Sequence, residues 1–262
     1  MRVAGWGASD VGRKRTHNED SLLCNDDLGL YAVADGMGGH LGGERASRMA
    51  VEILEREIDQ VRKAGLLAVR PEELTRGDPH PVNALLRRAV VEADRHIYET
   101  ALANPELSGM GTTLTALLFS TGYVHMGHVG DSRAYLYRDG RARQLTEDHS
   151  WIQEQVRAGL ISPAEAKESR FRNIITRSVG FEPSVEPDLA GIAVQAGDCF
   201  VLCSDGLSNY LTIDELGQVL TGHFYRDVAN VFVDLANQRG GDDNVTCLVV
   251  YAGNELASAT TP

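Results

Sequence analysis

Basic residues are scarce in this sequence: 25 Lys and Arg stand against 37 Asp and Glu, for a formal net charge of −12. A chain this acidic repels a phosphodiester backbone, so nucleic acid is not an expected partner. No stretch approaches the roughly 20 apolar residues that cross a bilayer, and no membrane partner is expected. The opening Met1-Arg-Val-Ala-Gly-Trp-Gly-Ala-Ser-Asp10 has no apolar signal core, so export by signal peptide is not expected and the cytoplasm is the expected location. Cysteine is sparse too, at four residues. Cys199 and Cys203 look like a ligand pair, but they fall in an apolar run that reads as a strand. There they stand about 13 Å apart on one face, too far for a disulfide or a shared zinc. They read as buried small hydrophobes in a reducing compartment.

What is present is a globular chain of 262 residues, 43% hydrophobic and 24% charged, with no repeat in the 20–50-residue range. Strand-like runs cover 28–34, 112–120, 123–129, 133–138, 141–145, 189–194, 199–204 and 244–251, with Asp139-Gly140 as a hairpin turn. Helical spacing of apolar residues starts at Gly43 and again near Val82, and recurs at 150–158, 163–168, 213–220 and 227–238. Residues 65–81 hold prolines among charges and read as a loop. Hairpin-joined strands in both halves, with helices in pairs, predict an α+β fold. The expected form is a four-layer α-β-β-α sandwich, with two central antiparallel sheets flanked by helix pairs.

Four times an apolar strand meets an aspartate beside small residues. These are Tyr-Ala-Val-Ala-Asp35-Gly36, Met-Gly-His-Val-Gly-Asp131, Phe-Val-Leu-Cys-Ser-Asp205 and Gly-Gly-Asp-Asp243, the last preceding its strand. A strand holds its terminal side chain rigidly, and an adjacent glycine lets the backbone carbonyl approach a ligand. Converging carboxylates call for a hard divalent cation among them, which points to Mg²⁺ or Mn²⁺ rather than zinc. Each aspartate taken singly also suits a turn or cap. Arg15-Thr-His-Asn18-Glu19-Asp20 sets a guanidinium, which can grip phosphate by two parallel bonds, just before two acids; alone it also reads as a solvated charge cluster. The glycines at 36, 38, 39, 42 and 43 resemble a phosphate loop, but the spacing matches neither G-x-G-x-x-G nor a Walker loop. Asp35 at their mouth would repel a pyrophosphate, so nucleotide binding is rejected.

Taken in order, eight motifs share one reading: Arg15-x-x-Asn-Glu-Asp20, Asp35-Gly-Met-Gly-Gly-His40, Gly109-Met-Gly-Thr-Thr113, Gly130-Asp-Ser-Arg133, Leu145-Thr-x-Asp-His-Ser150, Thr176-Arg-x-x-Gly180, Ser204-Asp-Gly-Leu207 and Gly240-Gly-x-Asp-Asn244. The set resembles the metal-dependent serine/threonine protein phosphatases of the 2C type, in their stand-alone bacterial form. The resemblance implies a catalytic domain over 1–253, with a small flap subdomain at about 150–185, and a C-terminal tail at 254–262. It implies two Mn²⁺ or Mg²⁺ ions per active site. Asp35 would bridge them, the Gly36 carbonyl would bind one, Asp205 and Asp243 would complete the other, and Glu19 or Asp20 would support them. Arg15 would hold the substrate phosphate. Asp131 with Asp205 matches the place of a weaker third metal. Arg170, Arg172 and Arg177 in the flap would dock acidic phosphopeptides or serve as ordinary surface charge.

In such a site a pair of ions activates water for in-line attack on phosphorus, with no phosphoenzyme. A serine or cysteine nucleophile is therefore set aside: Cys203 has no phosphate-binding arginine loop, and Ser204 has no base nearby in sequence. Two departures stand out. Met37 occupies the place where several members carry a histidine proposed as general acid, which leaves a water in the metal shell or another group, with His40 the candidate. Asn209 replaces a further acid and weakens the third site. The expected partners are phosphoserine and phosphothreonine proteins, with the enzyme opposing a Ser/Thr kinase and acting as a monomer. The alternatives are a catalytically silent signalling module and a phosphatase of a partner-switching anti-sigma antagonist.

Overall fold

The computed structural model describes residues 1–65, 80–169, 171 and 174–254, without the side chains of His40, Lys167 and Glu168. The loop expected at 65–81 and the tail from 254 lie almost wholly outside the described residues. Along the chain run β1 (Arg2–Asp10), β2 (Asp20–Asn25), β3 (Leu30–Met37), α1 (His40–Lys63), α2 (Pro81–Ala103), β4 (Gly111–Thr112), β5 (Leu114–Ser120), β6 (Tyr123–Val129), β7 (Arg133–Arg138) and β8 (Arg141–Gln144). After these come α3 (Trp151–Arg157), α4 (Pro163–Glu168), β9 (Asp188–Ala193), β10 (Cys199–Cys203), α5 (Asp205–Ser208), α6 (Ile213–Gly222), α7 (Tyr225–Gln238) and β11 (Val245–Gly253).

The strands form two antiparallel sheets, in the orders β1-β11-β10-β7-β8 and β2-β3-β5-β6-β9, with β4 beside β3. Alternation along each strand sorts the core into three layers. In β3, Tyr31 and Val33 meet Phe200, Leu202, Leu248 and Val250 between the sheets. Leu30, Ala32 and Ala34 face the other way, onto Ala46, Ala50, Leu54, Leu86 and Ala89 of α1 and α2. In β10 and β11 the outward set, Cys199, Val201, Cys203, Cys247 and Val249, packs on Val228, Phe232 and Ala236 of α7. The result is the expected α-β-β-α sandwich. Burying each of these larger apolar side chains contributes about 1.5–3 kcal/mol. Among the described residues no helix is long and apolar enough to cross a membrane.

Several boundaries differ from the sequence reading. β3 does not stop before Asp35 but runs on through Gly36 to Met37. α1 begins at His40, three residues ahead of Gly43, because the glycine-rich turn closes directly onto the helix: Gly42 and Gly43 both donate to the Gly39 carbonyl. The run at 112–120 is split at Thr113, whose hydroxyl accepts from Asp35 N. β1 carries too little apolar periodicity to read as a strand, since its glycines are dictated by space. A Cβ on Gly5 would lie 2.5 Å from the ring of Tyr31.

Candidate metal centre

Antiparallel pairing places the informative strand ends at one pole of the sandwich. Asp20 opens β2 directly opposite Asp35 in β3. β10 ends at Cys203, opposite Arg133 at the start of β7 and Cys247 near the start of β11. Asp131 sits in the turn between β6 and β7, Asp205 follows β10, and Asp243 precedes β11. Like charges facing each other across strands oppose folding, so this pole is held by something other than its acids.

Asp35 is the hub. Burial pushes its carboxyl well above the usual range, and Asp20, Asp205, Asp131 and Asp243 push it further, in that order. Asp20 rises to about 7, chiefly by burial; hydrogen bonds from Thr246 and Ser204 oppose the rise, while Asp205 and Asp243 add to it. Burial, then Asp205 and Asp148, lift Asp131 to about 8. Asp205 reaches about 6 through burial and Asp243, against a hydrogen bond from Asn209. Asp20 and Asp131 are buried, whereas Asp35, Asp205 and Asp243 keep partial exposure. The acids are thus close-set, unneutralised by one another, and open to solvent on one side.

Neutral donors fix this arrangement. Asp35 O accepts from Thr112 Oγ1 and Thr113 N, both at 2.9 Å, and Thr113 Oγ1 pairs with Ser132 Oγ at 2.7 Å. Ser204 Oγ lies 2.8 Å from Asp20 Oδ2 and accepts from Thr246 N at 3.0 Å. The fold thus brings a carboxylate distant in sequence beside Ser204, but this serine is fully buried. Asn244 Oδ1 accepts from Glu19 N at 2.8 Å, and its amide donates to Val11 O and His17 O. The Glu19 carboxylate lies against Gly43, where a Cβ would stand 1.9 Å from Oε2. A Cβ on Gly36 would stand 2.1 Å from Gly43 O. Gly36 near the end of β3 and Gly43 in the first turn of α1 thus allow close packing of backbone on backbone and carboxylate.

Arg15 joins the same pole. Its Nη2 donates to Asp243 Oδ2 at 2.8 Å, while Asn244 N donates to Oδ1 at 2.8 Å. Burial works against the guanidinium charge, but Asp243, Glu19 and Asp35 outweigh it and hold Arg15 protonated more firmly than usual. Asn209 Nδ2 donates to Asp205 Oδ2 at 3.2 Å. Met37 pairs with Gly111 between β3 and β4. The His40 side chain, Arg170 and Arg172 fall outside what the structure describes; Arg177 is engaged by Asp188 Oδ1 at 2.7 Å and by Glu186 O.

The donor set fits a hard divalent cation, because it offers carboxylate and carbonyl oxygens. Asp20 Oδ1 carries the sharpest indication: it is buried and has no hydrogen-bond partner. A buried acceptor left this way is costly unless a ligand meets it. Among the described residues no group of three or more His, Cys, Asp or Glu side chains is placed to hold a metal ion as it stands, and Arg15 and Asn209 each hold one acid. A separate cavity of about 410 Å³, lined by Arg177, Phe181, Ser184 and Glu186 among others, lies off this pole and contains none of the five aspartates. Thr112, Thr113, Ser132, Ser204 and Asn244 are site residues whose individual roles sequence reasoning did not give. Their signal was present as hydroxyls and amides adjoining the strand-end acids.

Solved structures carry this architecture. The Mycobacterium tuberculosis serine/threonine phosphatase PstP/Ppp superposes with a TM-score of 0.85 at 35% identity, covering 97% of this chain and 100% of that one. The catalytic domain of PstP in complex with two manganese ions gives a TM-score of 0.82 at 35% identity, covering 97% and 99%. Among curated relatives, serine/threonine phosphatase stp of Listeria monocytogenes is 38% identical over 246 residues, spanning 92% of this chain and 93% of that protein. Residues 10–243 match the model of the family described as protein phosphatase 2C. The chain belongs to the protein phosphatase 2C family.

Proposed function

We propose that this chain is a protein serine/threonine phosphatase whose strand-end acids hold two divalent cations, Mn²⁺ or Mg²⁺. The observation that carries the reading is the electrostatic meeting of Asp35 with Asp20, Asp131, Asp205 and Asp243 at one pole. The family match and the manganese-bound relative support it. Asp35, the Gly36 carbonyl, Asp205 and Asp243 would hold the two ions, with Glu19 or Asp20 in support. Asp131 and Asp205 would hold a weaker third ion, at a place where Asn209 brings an amide in place of a further acid and donates to Asp205 Oδ2. When bound, the ions offset charge on the phosphoryl oxygens and make a water acidic enough to attack phosphorus.

The chain's own groups supply the rest. Arg15, anchored through one Nη on Asp243, offers its remaining N–H groups as a fork for the phosphate oxygens. Met37 has no proton to give, so the leaving serine or threonine oxygen takes its proton from a water in the metal shell or from another group, with His40 at the head of α1 the candidate. Cys203 is no nucleophile, since burial lifts its thiol to about 12, and Ser204 spends its hydroxyl on Asp20. Segment 150–185 acts as a flap. The enzyme works as a monomer opposing a Ser/Thr kinase, and its four free cysteines suit the reducing cytoplasm. A silent module is not favoured, because Asp35, Asp205 and Asp243 are all present and meet; no observation favours an anti-sigma antagonist over other phosphoproteins.

Hydrolysis of a phosphothreonine peptide and of p-nitrophenyl phosphate, with Mn²⁺ and with a chelator, tests the reading. Chelation and Asp35→Asn should each remove turnover. Activity that survives both would overturn it.

A further inference from the structure

Beyond the metal pole, the motif Leu145-Thr-x-Asp-His-Ser150 has a geometry of its own. Gly130 turns the chain from β6 toward Asp131 with φ +106°, and a Cβ there would stand 2.6 Å from Thr113 Cβ. Both backbone groups of this glycine are taken by one residue. Gly130 N donates to His149 Nδ1 at 3.0 Å, and His149 N donates to Gly130 O at 2.8 Å. The His149 carbonyl accepts from Thr176 N at 2.8 Å, next to the bridge between Ser150 and Ile175.

On its far side the His149 ring sets Nε2 3.2 Å from Asp188 Oδ2, though not aligned as a hydrogen bond. Arg177 holds the other Asp188 oxygen at 2.7 Å. The ring centroid lies 4.7 Å from that of His128, which Thr115 and Glu147 O fix in turn. Asp148 receives a two-pronged Arg133 at 2.9 and 2.6 Å. Because Nδ1 accepts from Gly130 N, the ring is in its neutral form with the proton on Nε2; burial lowers the His149 pKa. Among the described residues no other meets the Asp131 turn, the 174–179 segment and the start of β9 at once.

We infer that His149 is the positioning residue for Asp131: its Nδ1 and backbone N–H clamp the Gly130 turn that aims this carboxylate, and its carbonyl couples the turn to segment 174–179. The inference rests on Asp131 serving as a metal ligand. It separates the two ring nitrogens, since an Asn side chain can present an oxygen near the place of Nδ1, whereas Gln reaches toward Nε2.

The test uses the full chain and four variants, His149→Ala, His149→Asn, His149→Gln and Asp131→Ala, with Mn²⁺ calorimetry and amide hydrogen exchange at Gly130. His149→Ala and His149→Gln should speed Gly130 exchange by about tenfold and weaken, by roughly tenfold, the same Mn²⁺ step that Asp131→Ala removes. His149→Asn should stay within about twofold of the parent in both, which also guards against a variant that merely misfolds. Unchanged Gly130 exchange in His149→Ala, rescue by Gln equal to rescue by Asn, or weakening of a Mn²⁺ step that Asp131→Ala leaves intact would each overturn it. Should Asp131→Ala leave the isotherm untouched, the ligand role of Asp131 fails, and Gly130 exchange alone decides the clamp.

Discussion

Strand β10 has an aspartate at each end, and the two live under opposite rules. Asp198, just before it, is 1% exposed and fully answered: Arg138 Nε and Nη2 donate to its two oxygens at 2.7 and 2.6 Å, and Gln195 N adds a third bond. Asp205, just after it, faces Asp243, and its one side-chain hydrogen bond shown comes from Asn209. The same five-residue strand thus ends in a closed ion pair at one pole and an open acidic group at the other. Charge balance supplied from within marks structure, and charge balance left to an outside cation marks the site.

The contrast makes sharp expectations. Asp205→Asn should lower kcat by more than about 100-fold, while chelator-treated stability does not fall, because a repulsive charge is gone. Arg138→Met should do the reverse: it strands buried Asp198, costing about 3 kcal/mol in denaturant unfolding, with kcat within about twofold. Parallel loss of both properties in either variant would erase the distinction.

A pH series probes the same difference more gently. Asp20, Asp131 and Asp205 have native pKa values raised to about 7, 8 and 6. The folded form therefore binds more protons than the unfolded chain between the ordinary carboxylate value of 3.8 and these raised values. Stability from these groups is present at low pH and is lost as pH climbs through that window. With chelator, Tm should fall by about 5 °C between pH 5 and pH 8, and saturating Mn²⁺ should cancel the fall. A chelated Tm that rises over this range would contradict the acid cluster.

The smallest effect concerns two ties between α2 and the stretch after residue 179. Asp94 is 1% exposed, and its Oδ1 accepts from Gly180 N at 2.6 Å, with Val185 N also bonding the carboxylate. Asp94→Ala should cost about 1–3 kcal/mol by leaving buried N–H groups unmet. The exposed Arg87–Glu186 pair, at 2.6 Å, should cost less than about 1 kcal/mol when Arg87→Ala removes it. Equal losses, measured by denaturant unfolding, would mean burial does not separate them.

Most of the architecture was legible because its strands alternate: β6 and β7 were read to the residue, and each gives one side to the inter-sheet layer. β1 was not legible, since close approach to Tyr31 and Leu22 requires glycine at 5 and 7 and breaks the apolar alternation. α5 hid inside Ser-Asp-Gly, where a four-residue helix leaves no periodic trace. The site split along the same line. Each aspartate at a strand end could be picked out singly, but the pairing of Asp20 with Asp35, and the Ser204 and Asn244 bonds across 184 and 225 positions, depend on sheet register. Residue order alone does not encode which strand lies beside which.

One arrangement in the core has a practical side. Cys199, Cys203 and Cys247 are sealed in the layer under α7, with Cys203 and Cys247 facing each other in register, while Cys24 on edge strand β2 is exposed. Of the four thiols this one alone is exposed, and partial burial pushes it up to about 11, so labelling it calls for alkaline pH. A dye or spin label can be hung on that sheet margin, on the strand that begins at Asp20, without first stripping sulfur from the interior.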